Sequence, residues 1–323
     1  MVKIDIISGF LGAGKTTLIK KLLKDGFQGE QVVLIENEFG EIGIDGGFLK
    51  EAGIQIREMN SGCICCSLVG DFGTSLKEVV TKYDPDRILI EPSGVGKLSD
   101  VIKAVQGVQD EVDIKLNSYT TVVDAKKCKM YMKNFGEFFD NQIQYAGAII
   151  MSRTDIASEK KVQESLELLR SLNKDAAIIT TPIENLDGKK LVEVMEHPVS
   201  LEQEMLEEEH EHHHHHDGEC GCGHGHHHHH ADEVFTSWGR ETIKKYTREG
   251  LEKILEALSE SDKYGIILRA KGMLPAEDGT WIYFDMVPEE TEIREGAPEY
   301  TGRLCVIGSK LDEHALEELF GIA

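Results

Sequence analysis

No apolar run in this sequence is long enough to cross a membrane. Its N-terminus lacks the basic segment and cleavage site of a secretory signal, and Asp5 and Gly9 break the apolar stretch there. Basic residues are also scarce: 35 Lys and Arg stand against 58 Asp and Glu, a formal net charge of −23. Such a surface repels polyanions and argues against nucleic acid or anionic lipid as a partner. A cytoplasmic home with no membrane partner is the expectation. Cysteine is sparse too, seven in 323 residues, and in a reducing compartment thiols serve as metal ligands or core residues more often than as disulfides.

What is present suffices for real cores: hydrophobic residues make up 40% of a chain whose length suits two domains. From residue 2 to about 196, β-rich runs such as "VKIDIIS", "QVVLIE", "RILIEP", "YTTVVDA" and "AGAIIMS" alternate with amphipathic segments such as "KTTLIKKLLKDG" and "EKKVQESLELLRSLN". This alternation implies an α/β fold with a mostly parallel sheet between helices. Residues 197–232 collapse to Glu, His and Gly without periodicity, which reads as a flexible linker. Residues 233–323 then read as a smaller α+β domain, with "REGLEKILEALSE" and "LDEHALEELFG" as helices among the strands "EVFTSWG", "YGIILRAKGML", "TWIYFDMV" and "GRLCVIGS". Domain boundaries of 1–196, 197–232 and 233–323 follow.

"GFLGAGKTT" at 9–17 fits G-x-x-x-x-G-K-[ST] between a buried strand and an amphipathic helix, so an NTP-binding P-loop is expected. Gly9, Gly12, Ala13 and Gly14 let backbone N–H groups close on phosphate oxygens at the helix N-terminus, with Thr16 and Thr17 opening the helix. Lys15 would reach the β- and γ-phosphates and the Thr16 hydroxyl would hold Mg²⁺. The bland alternative is a glycine-rich turn. Glu91, at the tip of "RILIE", suits the second Mg²⁺ carboxylate, and the glycine three residues on lets backbone approach the γ-phosphate.

"NSGCICCSL" packs Cys63, Cys65 and Cys66 before an expected helix, a thiolate set suited to Zn²⁺ or another borderline cation. Inert turn cysteines or a redox pair remain open, and three thiols do not complete a tetrahedron. The acidic loop "IENEFGEIGID" carries Glu36 and Glu41; composition alone makes it a solvated loop. Twelve of the fourteen histidines fall within 210–230, interleaved with Cys220 and Cys222. His212, His213, His214, His224, His226 and His227, with those thiols, form an expected loose reservoir for Zn²⁺, Ni²⁺ or Co²⁺. The H-E-x-x-H match at 210–214 is an accident of a His run that lacks an apolar helix. Cys128 and Cys305 lie in helical and strand patterns and read as core.

Taken in order, "GFLGAGKTT", "ENEFGEIGID", "GCICC" and "IEPSG", followed by "LRAKGML" and "GRLCVIGS", resemble the CobW-like metallochaperone GTPases, relatives of the nickel-inserting GTPases of urease and hydrogenase. The resemblance covers nearly the whole chain, and a His-rich stretch between the two domains also occurs in that family. It implies GTP and Mg²⁺ at Lys15, Thr16 and Glu91, a transition metal (Zn²⁺ or Co²⁺, with Ni²⁺ a further candidate) at Cys63, Cys65 and Cys66, and Glu36 and Glu41 beside that metal. GTP-dependent delivery of the metal to an unidentified client metalloprotein is the expected function, with a nucleotide- or metal-dependent homo-oligomer a further expectation. GTP hydrolysis is expected to be slow, because no stretch of the sequence resembles an arginine finger. One motif departs. Where the family reads guanine with Asn-Lys-x-Asp, this chain has Ser152, Arg153, Thr154 and Asp155. Asp155 can still accept from guanine, and Arg153 is expected to stack on the base. Two competing readings are a metal buffer with a vestigial nucleotide site and a P-loop transferase with structural cysteines. Intact Lys15, Thr16 and Glu91 oppose the first; the second lacks a visible acceptor clamp.

Overall fold

The strand β1 (Val2–Gly9) is buried at every position except Lys3, so both of its faces are covered. β2 (Val32–Glu36) and β4 (Arg87–Glu91) are buried throughout. Such two-sided burial belongs to a parallel sheet between helical layers. The computed structural model describes residues 1–36, 55–58, 69–109, 111–197, 236–287 and 290–322. They fall into two units, Met1–Pro198 and Val199–Ala323. Among these residues no helix is long and apolar enough to span a membrane.

The first unit adds β3 (Gln55–Glu58), β5 (Ile114–Asp124), β6 (Ala148–Ser152) and β7 (Ala177–Ile179) to a seven-stranded sheet of order β3-β2-β4-β1-β5-β6-β7. Every pairing is parallel, one step beyond the mostly parallel sheet expected. The chain leaves β1 on one side for β2, β3 and β4 and then crosses to β5 on the other. That reversal opens a crevice at the carboxyl ends of the central strands, where such folds bind ligands. The helices are α1 (Lys15–Lys21), which runs into a π-type turn at Leu22–Gly26, α2 (Val69–Tyr83), α3 (Leu98–Gln106), α4 (Cys128–Gln144), α5 (Glu159–Leu172) and α6 (Gly188–Glu196). α4 is kinked at Phe135, whose φ of −137° is not helical. Cys128 is buried, as its pattern implied, and burial pushes its thiol up to about 11.

Asp5, which interrupts the apolar run of β1, is wholly buried and structural. Its carboxylate accepts from Ser118 Oγ at 2.6 Å and Asn117 Nδ2 at 2.8 Å, and it pairs with Arg87. The same guanidinium meets Glu30 at 2.6 Å and Glu196 at 2.9 Å and lies 4.1 Å over the Phe27 ring. The cluster ties the amino ends of β1 and β4 to the end of α6. A buried ion pair of this kind costs a great deal to break from one side.

The second unit is an antiparallel sheet of order β11-β10-β9-β12-β8. Its strands are β8 (Thr236–Thr242), β9 (Ile266–Pro275), β10 (Trp281–Val287), β11 (Glu290–Gly296) and β12 (Gly302–Ser309). α7 (Arg248–Glu260) and α8 (Glu313–Phe320) contribute Leu251, Leu255, Leu258, Leu316 and Phe320 to a core shared with Trp238, Phe284, Leu304 and Val306. Thr247 caps α7 through Gly250 N–H and Asp312 caps α8 through Ala315 N–H, both at 3.0 Å. Cys305 is buried in β12. β11 was not anticipated: "ETEIREG" is charged and largely exposed, and pairing with β10 alone makes it a strand.

Candidate nucleotide site

β1 ends at Gly9, and residues 10–14 turn back before Lys15 opens α1. Gly12 and Gly14 adopt φ of 67° and 105°, which a side-chain-bearing residue rarely does. Lys15 is nine-tenths buried, and its Nζ lies 3.7 Å from Oε1 of the equally buried Glu91 at the end of β4. Thr16 and Thr17 are exposed at the helix start, open to a ligand. A positive group, a free hydroxyl and a carboxylate converge at one helix N-terminus, the donor set that a phosphate chain with a divalent cation needs.

Four side chains fasten the phosphate loop from the β5–β6 half of the sheet. Ser152 Oγ donates to the Ala13 carbonyl at 2.6 Å. Arg153, itself at φ 60°, pairs with the buried Asp124 and donates from Nη2 to the Gly12 carbonyl at 3.0 Å. Tyr131 OH reaches the Leu11 carbonyl at 3.4 Å. The Phe10 ring packs 4.5 Å from Tyr131 and 5.0 Å from Phe135, centroid to centroid. In this arrangement the Arg153 guanidinium is held by Asp124 and the Gly12 carbonyl. The exchange of Asn for Ser152 still leaves a hydroxyl that latches the loop. Asp155 is exposed and its carboxylate makes no hydrogen bond among the described residues, so it is available to a base.

On the other side of β4, glutamates fall at matched register positions. Glu36 at the end of β2 is in register with Glu91 of β4 and Glu58 of β3. Glu36 is buried at 8% exposure. The segment holding Glu41 follows Glu36 along the chain, and the segment holding Cys63, Cys65 and Cys66 follows Glu58. Glu36 and Glu58 both end their strands in register with Glu91, which ends β4 facing Lys15. Glu41, the three cysteines, Cys220, Cys222, His212, His213, His214, His224, His226 and His227 lie outside the described residues. Among the described residues no group of three or more His, Cys, Asp or Glu could hold a metal ion.

The sequence reading missed two residues of α4. Gln142, wholly buried, donates from Nε2 to the carbonyls of Gly94 and Gly96, and Asn141 exchanges hydrogen bonds with Ser99. No local motif marks either residue.

Comparison with known proteins agrees with this geometry. Residues 3–180 match the model of the CobW/HypB/UreG nucleotide-binding domain, and 235–322 match that of the cobalamin synthesis protein CobW C-terminal domain. The zinc chaperone YeiR of Escherichia coli (strain K12) is 29% identical over 191 residues, 59% of this chain and 58% of YeiR. The zinc chaperone YjiA of the same organism is 30% identical over 194 residues, 58% of this chain and 59% of YjiA. The chain thus spans somewhat over half the length of these two relatives. The zinc-regulated GTPase metalloprotein activator 1 of Schizosaccharomyces pombe (strain 972 / ATCC 24843) is 24% identical over 333 residues, 90% of this chain and 76% of that protein.

Proposed function

Since the chain belongs to the CobW/HypB/UreG family and carries the CobW C-terminal domain behind its nucleotide-binding domain, we propose that it is a GTP-hydrolysing metallochaperone. It takes up a transition metal, Zn²⁺ or Co²⁺, and delivers it to a client metalloprotein. The observation that carries the reading is the Lys15–Glu91 pair, in register with Glu36 and Glu58, the strand ends that both candidate metal-bearing segments follow along the chain. The names of the zinc chaperone and zinc-regulated activator relatives support zinc as cargo.

With GTP in place, Lys15 Nζ leaves Glu91 and donates to β- and γ-phosphate oxygens, while Gly12 and Gly14 keep the loop backbone close to them. The Thr16 hydroxyl and Glu91 would hold Mg²⁺, which when bound offsets charge on the phosphate oxygens. Asp155 accepts from the guanine edge. Turnover is slow, because no arginine finger is evident and a P-loop switch without one hydrolyses slowly. The thiolates of Cys63, Cys65 and Cys66, with Glu36 and Glu41 near them, take the metal, and the 210–230 tract loads them.

The two sites are coupled if GTP orders the segments that follow β2 and β3, because the metal site then forms without further ordering cost. Linkage makes the effect reciprocal, and a typical coupling of about 1–3 kcal/mol gives roughly 5- to 150-fold. The measurement is a competition titration of Zn²⁺ against a metal-sensitive dye, on protein lacking 210–230, with GDP and with a non-hydrolysable GTP analogue. Tighter Zn²⁺ with the analogue, lost in Cys65→Ser, is expected. Equal affinities in the two nucleotide states would end the delivery mechanism.

A further inference from the structure

Gln142 occupies the last turn of α4 with no solvent exposure. Its carbonyl accepts from Thr121 Oγ1 at 2.7 Å, on β5 beside the end of β1. Its amide Nε2 bridges two carbonyls of the loop after Glu91, Gly94 at 3.2 Å and Gly96 at 2.8 Å. Its Oε1 is buried and accepts no hydrogen bond among the described residues. The double donation to the loop is what a glutamine supplies here and an apolar side chain of the same length would not.

The loop it holds is set against the phosphate site. Gly94 lies so close to the phosphate loop that a Cβ there would come 2.8 Å from Leu11 Cδ2 and 3.0 Å from the Leu11 nitrogen. It follows Glu91 by three residues, and Glu91 faces the Lys15 ammonium that reaches the β- and γ-phosphates. Asn141, the residue before Gln142 in α4, holds the start of α3, which follows the same loop: its Oδ1 accepts from Ser99 N–H at 3.2 Å and its Nδ2 donates to Ser99 Oγ at 3.0 Å.

Building on the nucleotide site proposed above, we propose that Gln142 is a positioning residue. It fixes the 92–97 loop where its backbone meets the third phosphate, and so lets the protein tell GTP from GDP. The test uses the full chain with Gln142→Met, which keeps the packing and removes the donor, and Gln142→Glu, which turns an acceptor toward two carbonyls. Affinities for GDP and for a non-hydrolysable GTP analogue are measured together with kcat and KM for GTP. With the loop freed, binding of the analogue should weaken about tenfold, the scale of one to two hydrogen bonds, while GDP affinity changes less than about threefold. The kcat should fall in both variants, more in Gln142→Glu. A thermal midpoint on each variant separates misfolding from loop release, because a purely structural role lowers the midpoint and weakens both nucleotides alike. That pattern, or a Gln142→Met protein with the wild-type analogue-to-GDP ratio and kcat, overturns the assignment while wild-type hydrolysis leaves the proposed function standing. A wild-type chain that binds no guanine nucleotide overturns both.

Discussion

Arg153→Ala removes one side chain from two partners and leaves a strained backbone behind. Asp124 is 1% exposed and would keep the Lys126 N–H at 2.8 Å but lose its cation. Breaking a fully buried pair from one side costs about 3–5 kcal/mol. The Arg153 side chain is 38% exposed, so water screens part of the interaction and about 1–2 kcal/mol is the expected loss. The φ of 60° stays in the alanine variant, whereas Arg153→Gly loses the same contacts and relieves the strain. The glycine variant should therefore be more stable than the alanine variant by about 0.5–1 kcal/mol, against the usual order of these two residues. The nucleotide effect differs in kind from that of Gln142. Freeing the Gly12 carbonyl loosens the loop that grips every phosphate, so GDP and the GTP analogue should both weaken roughly fivefold, the equivalent of about 1 kcal/mol, with their ratio unchanged. Fluorescent-nucleotide titration and amide exchange on the three proteins supply the readouts. Wild-type affinities in Arg153→Ala would show that the contacts to Gly12 and Asp124 are idle, and a glycine variant less stable than the alanine one would show that the positive φ at 153 stores no strain.

Lys15→Ala should abolish GTP hydrolysis measured by phosphate release; undiminished turnover would refute the active-site assignment. Asp155→Asn should weaken GTP relative to ATP in competition binding, since it reverses one partner of the guanine edge, and an unchanged ratio would remove Asp155 from base recognition. Arg87→Met should cost the first unit about 3–5 kcal/mol, because Asp5 keeps its Ser118 and Asn117 donors but loses its cation. Burial pushes the Glu196 carboxyl up, but hydrogen bonds from Arg87, Asn117 and Lys3 outweigh it and hold the group below its ordinary 4.5. A depressed folded value means the contribution is complete above that ordinary value and is lost as pH falls through the folded one. Wild type should therefore lose stability below about pH 4.5 more steeply than Arg87→Met. Both tryptophans, Trp238 and Trp281, are in the second unit, so amide exchange on β1 and β4 is the suitable measurement.

The first unit was legible where chemistry and local structure coincide. A buried strand, the glycine turn and an amphipathic helix follow one another within twenty residues, and Glu91 stands at the end of its own apolar run. What stayed hidden was held by distance along the chain. Gln142 meets a loop 46 residues away and belongs to no motif. Asp5 looked like a mere break in an apolar stretch because its partner Arg87 is 82 residues on. Ser152 and Arg153 were legible as a departure from the guanine motif, but their effect depends on Ala13, Gly12 and Asp124, which only the folded sheet brings beside them. β11 shows the limit of hydropathy patterning: a charged edge strand has no apolar alternation to read.

The sheet order also separates two kinds of control over the phosphate site. Arg153, Ser152 and Tyr131 grip the phosphate loop from the β5–β6 half, and Gln142 reaches across from that half to the loop after β4. The candidate metal segments follow β2 and β3, strands of the opposite half, along the chain. β4 lies between β1 and β2, and Glu91 at its end is the described side chain in register with Glu36 on one flank and ion-paired to Lys15 on the other. On the proposed scheme, GTP with Mg²⁺ would replace the single charge of Lys15 beside Glu91 by that of a divalent cation, so the charge facing Glu36 changes in the same step. Coupling between nucleotide and metal needs no large rearrangement of the sheet on this scheme. It needs only that the surroundings of Glu36 differ between the two nucleotide states through its neighbour Glu91. Glu91→Gln should then leave the separate binding of nucleotide and Zn²⁺ less impaired than the link between them.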